Sequence, residues 1–430
     1  MSPTFRSLHN HNYRLYATGG VVSNTGTWMQ RVAQDWLVVV LAVNDGTALG
    51  ITTGLQFLPA LLLSPYAGLI ADRFPKQRLL QVTQTVMALT ALLLGALAVT
   101  GAVEVWHVYI LAFVFGVGSA FDAPARQSFV SEMVGPDDLS NAVGLNSASF
   151  NAARVAGPAL AGLLIGAFGG GAKGTGYVIL LNAVSYAAVV LALRRMVVAD
   201  LHVAEREPRH KGMIRDAVRY LRGRPDLMLI LSIVGFAGMF GLNFQMTSAL
   251  MATHVFHKGA TEYGILGSAM AIGSLTGALM AARRTRIRLR LVAGAALLFG
   301  VVEILAGLAP SYLTYVLIVP VLGFAALTMI TAASTTMQLA TAPHLRGRVM
   351  ALYLMVFMGG TPIGSPFIGW IGEQFGARWT LIGGGGLTLA GVLVSIAVFT
   401  RGRGFFERRV TVAEKSPVRA AVREPIDSPA

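Results

Sequence analysis

Gly68-Leu69-Ile70-Ala71-Asp72-Arg73-Phe74-Pro75-Lys76-Gln77-Arg78 sets three cations, a carboxylate and a turn-forming proline between two long apolar runs. A charged turn of this kind must lie in water, whereas a helix of roughly 20 apolar residues is what crosses a ~30 Å hydrocarbon core. The stretch therefore reads as a loop against a membrane face, with one helix leaving the bilayer before it and another re-entering after it. Working outward gives twelve apolar stretches, near 14–42, 48–71, 79–101, 105–125, 140–168, 176–196, 226–252, 261–282, 289–309, 312–341, 348–372 and 378–400. The expected fold is all-α, with twelve transmembrane helices.

Composition agrees. The chain is 54% hydrophobic and 13% charged, about half the charge of a soluble domain. A net charge of +14 in a soluble protein would suggest nucleic acid, but the positions of the charges exclude that. With a cytoplasmic N-terminus, 29 of the 34 Lys and Arg fall on one side of the membrane. Lys173, Lys258 and Arg378 fall on the other, and Arg31 and Arg154 lie within spans. This is the positive-inside pattern, and it places both termini in the cytoplasm. There are no cysteines, so neither a disulfide framework nor a thiolate metal site is expected. The polar run His9-Asn10-His11-Asn12-Tyr13-Arg14 and the long first apolar stretch do not read as a cleavable signal peptide. Arginine-rich, lysine-poor usage suits a GC-rich bacterial source, and hence a bacterial plasma membrane.

The longest polar stretch between spans divides the chain into a cytoplasmic N-tail (1–13), a six-helix bundle (14–196), a linker (197–225), a second six-helix bundle (226–400) and a basic tail (401–430) expected to be disordered. Within the linker, Met213 to Leu221 has helical apolar spacing among arginines, as in a helix lying on the membrane surface. The halves echo one another. Pro136, Leu139 and Phe150 before the Gly-Pro of span five match Pro343, Leu345 and Phe357 before the Thr-Pro of span eleven, and Gly68 and Gly277 close spans two and eight. Two pseudo-symmetric bundles with a site between them form a common transporter plan.

These residues resemble the major facilitator superfamily over nearly the whole chain. The loop follows that family's G-x-x-x-D-R-x-G-[RK]-[RK] pattern through Gly68, Asp72, Arg73 and Lys76; Pro75 replaces the glycine, Gln77 a basic residue, and Arg78 follows one place later. The resemblance implies a cytoplasmic gate formed by Gly68, Asp72, Arg73, Lys76 and Arg78, with Arg126 at the end of span four. Span five is similar to the antiporter pattern G-x8-G-x3-G-P-x2-G-G at Gly144, Gly157, Pro158 and Gly162, with Ala153 and Ala161 in place of glycines. Three runs, Gly26 to Trp36, Pro124 to Gln127 and Phe150 to Arg154, resemble the enterobactin-exporter-like branch among the drug–proton antiporters. That branch exports siderophores and other amphipathic compounds. Many such antiporters carry an arginine deep in span four; here Arg126 sits at its cytoplasmic end instead.

A charge inside a bilayer is costly unless paired or hydrated, so each one needs a role. Asn24, Thr27, Arg31, Gln34 and Asp35 recur at helical spacing along span one, on a face expected to line a watery cavity. Asp35 is the leading proton carrier; the competing expectation is that Arg31 and Asp35, at i and i+4, neutralise each other. Arg154 is either a partner for Asp35 or a binder of an anionic substrate. Asp122 is expected to pair with Arg73 or Arg126 rather than to carry protons. Glu303 is a second proton-site candidate, or a carboxyl held at a helix contact. Asn151 and Asn243 are candidate hydrogen-bonding groups, and Phe240 and Phe244 a candidate apolar wall.

His254 and His257 lack a nearby carboxylate, so no metal is expected. The glycine runs lack the Lys-Ser/Thr of a phosphate loop, so neither a cofactor nor ATP is expected. The leading expectation is a proton-coupled exporter of small amphipathic molecules, working in lipid and not an enzyme. Two alternatives stay open: proton-coupled uptake of a nutrient, and a lipid translocase or non-transporting sensor on the same scaffold. Nothing in the sequence indicates an oligomeric state.

Overall fold

The computed structural model describes residues 3–42, 45–202, 213–282, 289–342 and 345–399. Spans one to six are α1 (His11–Leu41), α2 (Gly46–Arg73), α3 (Lys76–Thr100), α4 (Val105–Met133), α5 (Pro136–Ala167) and α6 (Ala172–Arg194). A linker helix α7 (Met213–Arg222) follows, then α8 (Pro225–Val255), α9 (Ala260–Ala282), α10 (Leu289–Gly307), α11 (Tyr312–Ala340), α12 (Arg346–Phe375) and α13 (Arg378–Phe399). Local chemistry sets the ends. Asn10 and Asp45 accept from the backbone N–H groups of Tyr13 and Ala48, capping α1 and α2. Gly101 closes α3 with φ +77°, a left-handed conformation that glycine adopts without a Cβ clash. Pro136 opens α5 with Asp137 and Asp138 in its first turn, where acidic groups meet the positive end of the helix dipole.

Eleven of the described helices carry a stretch apolar enough to cross a membrane. The twelfth, α1, has 31 residues and ample length at 1.5 Å per residue, but its polar groups lower its hydropathy. Leucines and valines such as Val82, Leu89, Leu92, Leu313 and Leu317 are more than half-exposed at or near 50–70%, the surface of a protein whose solvent there is lipid. The chain is a multi-pass membrane protein.

Within the first half α3 packs on α6, α2 on α4, and α1 on both α5 and α6; within the second α9 packs on α11 and α10 on α13. Between the halves α1 and α2 meet α8, and the two most extensive crossings are α2 with α12 and α5 with α9. The internal repeat relates them, because span two is to span eight as span five is to span eleven. Glycines allow both crossings. Gly46, Gly50 and Gly54 lie against Gly369, Ser365 and Pro362, and Gly162 lies against Gly264.

Two spans are broken. α8 contains π-helical turns at Ala237–Gly241 and Met251–Val255, and the first packs on Gly360 and Gly364 of α12. α12 itself breaks at Gly360, where Pro362 starts its second segment. Helix α7 forms where amphipathic spacing predicts one, and it buries Ala217 and Leu221 in the core of the second half. The linker residues 205–211 and the tail 401–430 lie outside the described residues.

Candidate functional site

Among the described residues, the side-chain hydrogen bonds between the halves cluster toward one face, the one carrying the helix ends near 41–46, 167–172, 255–260 and 375–378. Thr47 donates to Glu373, and Thr261 Oγ1 donates to the Gly162 carbonyl at 3.2 Å. Ser268 Oγ donates to the Val155 carbonyl at 2.6 Å and accepts from Ala159 N–H at 3.1 Å. Tyr263 donates to Asp35 Oδ2 at 3.0 Å. With the glycine crossings, these bonds seal that face.

Beneath the seal lies a cavity of about 260 Å³ between the halves. α1 contributes Trp28, Arg31 and Val32, α2 Thr53 and Phe57, and α5 Arg154 and Pro158; the unwound middle of α8 contributes Leu242 to Met246, and α9 contributes Tyr263 and Met270. The π-turn explains the α8 contribution. The lost helical register turns Asn243 and Phe244 inward together, as π-bulges at functional sites do. Asn243 Nδ2 donates to the Met239 and Phe240 carbonyls, while its Oδ1 is buried without a partner.

The polar face of α1 is shared out rather than turned wholly to water. Arg31 lies over the Trp28 ring at 4.9 Å and near the Phe57 ring at 5.9 Å, with its Nε unpartnered. Asp35 is 4% exposed and bonded to Tyr263, whose ring stacks on Trp36. Among the described residues Arg31 and Asp35 form no close ion pair: the aromatic rings hold the cation and the tyrosine donates to the carboxylate. Thr27 bonds to Tyr186 of α6, and Gln34 approaches Gln56 of α2 at 3.5 Å. Five residues spread over an arc of about 100° meet several neighbouring helices, not one cavity.

Of the substrate-contact candidates, Arg31, Arg154, Asn243 and Phe244 line the cavity. Asn24, Thr27, Gln34, Asn151 and Phe240 are not among its lining residues. Asn151 bonds back to the Ser147 carbonyl in its own helix, and Phe240 stacks on Phe236 and meets Phe367 edge to face. Tyr263, Phe57 and Thr53 escaped sequence reading because a lone aromatic or threonine within an apolar span carries no signal of the side it faces. Arg154 forms no hydrogen bond or ion pair among the described residues, so it does not partner Asp35.

The remaining carboxyls are placed differently. Asp122 accepts from Arg126 Nε at 2.9 Å, Thr83 Oγ1 at 2.9 Å and Gln84 Nε2 at 2.7 Å, which fixes the end of α4 against α3. Asp122→Ala is therefore expected to destabilise the protein by about 3 kcal/mol, the low end for a broken buried pair because Arg126 stays partly exposed. A fall in the thermal midpoint of the purified protein in detergent checks it, and an unchanged midpoint would refute it. Glu303 is 1% exposed, and its Oε2 is without a partner. It lies close to Gly241 of α8 and Gly384 of α13, inside the second half, and is not among the residues lining the cavity.

At the opposite face, Lys76 pairs with Glu132, and Gln77 donates to the Leu193 carbonyl, which explains an amide where the family pattern has a cation. Arg73 and Arg78 are exposed. The side-chain surroundings of Gly68 and Asp72 lie outside the described residues. In α5, Gly157 fits against Trp28, Pro158 against Gly264 and Gly267, and Gly162 against Ala260 and Gly264, whereas Gly144 faces open space.

Comparison with known proteins agrees with this architecture. The chain is 26% identical to the staphyloferrin A transporter of Staphylococcus aureus (strain NCTC 8325 / PS 47) over 59% of its own length and 63% of that protein's. It is 26% identical to the multidrug efflux pump Tap of Mycolicibacterium fortuitum over 84% of its length and 89% of the pump's. Its fold is similar to that of a bacterial homologue of the human lysosomal transporter Spinster, crystallised in an inward-facing and occupied conformation. That likeness has a TM-score of 0.68 at 16% identity, covering 93% of this chain and 97% of that one. Matched over residues 2–404 by the model of the transmembrane secretion effector family, the chain belongs to that family of major facilitator transporters.

Proposed function

We propose that the protein exports small amphipathic molecules across the bacterial plasma membrane in exchange for protons, by alternating access at the cavity between two bodies, residues 14–196 and 226–400. The observation that carries this is the Tyr263–Asp35 hydrogen bond, made between the halves, beside the cavity and within the seal. With both termini cytoplasmic, as the charge bias supports, the sealed face is the outer one. A hydrogen bond to an ionised carboxylate is roughly twice as strong as one between neutral groups. Ionised Asp35 thus holds the outer face shut until substrate binding opens it, and the neutral carboxyl still accepts from Tyr263, so the protonated form can close that face again. Opening exposes the carboxyl to the outside, where it takes up a proton and carries it inward on the return. The similarity to a multidrug efflux pump favours export.

Proton release from everted vesicles tests the whole reading. A pH-sensitive dye follows the response to a panel of siderophores, antibiotics and lipophilic cations. Compound-triggered release supports antiport, and accumulation of a nutrient in energised cells without such release would replace it with uptake. Tyr263→Phe isolates the seal. Losing one charge-assisted bond is worth about 1.5–3 kcal/mol, enough to shift the equilibrium toward the open outer face about tenfold or more. The chain has no cysteine, so Thr53→Cys on the cavity wall is a clean reporter. Its labelling in intact cells by a membrane-impermeant maleimide is expected to rise several-fold when Tyr263→Phe is added. Unchanged labelling would show that the bond does not hold the seal.

A further inference from the structure

With the cavity taken as the substrate site of the export reading above, we propose that it is built for organic anions: a carboxylate-bearing ligand seats between Arg31 and Arg154, with its apolar body against Trp28, Phe57 and Phe244. The cavity wall carries two guanidinium groups and no carboxylate. The acid nearest in sequence, Asp35, is engaged by Tyr263 and makes no ion pair with either arginine among the described residues. Arg31 presents a buried Nε with no acceptor, and two aromatic rings fix its guanidinium in place. Arg154 has no hydrogen-bond or ion-pair partner among the described residues. Two cations in a low-dielectric wall are costly without a counter-charge, and the planar guanidinium fork matches a carboxylate. A bound anion supplies the direct ion-pair contact that neither arginine makes among the described residues.

A third group refines the ligand. Asn243 spends its amide N–H donors on backbone carbonyls and leaves its Oδ1 buried and free at the cavity wall. An acceptor there asks for a hydroxyl or amide N–H on the ligand, beside the carboxylate. The preferred class is an amphipathic organic acid carrying a neutral donor.

The test uses the purified full-length chain in lipid nanodiscs and two probes of matched size and opposite charge, 2-naphthoate and 2-naphthylmethylammonium. Quenching of tryptophan fluorescence, with Trp28 in the cavity wall, reads binding. The acid is expected to bind at least about tenfold more tightly than the ammonium, the scale of one hydrogen bond to a charged group. Arg31→Gln and Arg154→Gln should each weaken the acid about tenfold. Neither should weaken the ammonium, from which each removes a like charge, and Arg154→Lys should recover part of the loss of acid binding. Equal affinities, a preference for the ammonium, or indifference of the acid to both substitutions would overturn the proposal. The wild-type comparison needs no variant, so misfolding of either glutamine form does not shield the proposal. Binding is read without a gradient, which separates the two failures. Anion preference without compound-driven proton release removes the export reading and keeps the site, and release without anion preference does the reverse.

Discussion

Asp35→Asn is expected to cut compound-driven proton release in everted vesicles to less than about a tenth of the wild-type signal, while the protein still inserts, folds and binds its substrate. Asparagine keeps the side chain's shape and an oxygen that accepts from Tyr263, so the bond between halves survives in neutral form. What disappears is the titrating proton. A carboxyl 4% exposed, bonded across the interface and next to the cavity wall, is the acid whose protonation state both the cavity and the seal can sense. Asp122 is engaged by Arg126, Thr83 and Gln84, so its charge is committed to holding α3 and α4 together. Glu303 lies within the second half among glycines of α8 and α13, makes none of the bonds between the halves, and is not among the residues lining the cavity. Release that persists undiminished in Asp35→Asn would remove Asp35 from the coupling step and pass that role to Glu303, which Glu303→Gln would then test.

Much of the fold was legible in the sequence because loops and spans differ sharply in chemistry. The proline, glycine and charged residues that end each apolar run are the same ones that cap or break the helices, as Asp45, Gly101 and Pro136 do. The repeat was legible too, and the two crossings of α2 with α12 and α5 with α9 follow from it. The site was legible only where a polar group was expensive enough to stand out. Arg31, Asp35, Arg154 and Asn243 were conspicuous for that reason, though not their partners. Tyr263 meets Asp35 across 228 positions of sequence, and Phe57 receives Arg31 from another helix. Helical periodicity places a residue on a face, but which neighbour that face meets depends on the packing of all twelve spans. Thr27 and Gln34 show the consequence: they share an arc with Arg31 and bond to α6 and approach α2 instead. The break in α8 carried no local signal either, because its cause lies in Gly360 and Gly364 of α12 pressing on Met239.

Gly50→Val is expected to abolish transport by a different route, because it prevents the outer face from closing. Gly46, Gly50 and Gly54 form a stripe along α2 that lets its backbone touch α12. A Cβ at Gly50 would collide with the Ser365 carbonyl and come within 3.0 Å of Pro366 Cα. Backbone cannot rotate aside as a flexible side chain can, so relief requires the helices to separate. Overpacking of this kind costs about 1–3 kcal/mol, and two states of a carrier differ by only a few kcal/mol. The ratio of sealed to open states thus falls about fivefold to a hundredfold. Transport should fall at least as far, and Thr53→Cys should become reactive to outside maleimide. Gly162→Val, which meets the backbone of Ala260 and Gly264, should act alike at the α5–α9 crossing. Gly144→Val is the contrast. It belongs to the same antiporter-like pattern in α5, yet a Cβ there meets nothing within 4 Å, so labelling of Thr53→Cys should stay at the wild-type level. If Gly50→Val transports normally, or if Gly144→Val opens the outer face as Gly50→Val does, close backbone approach is not what seals this transporter.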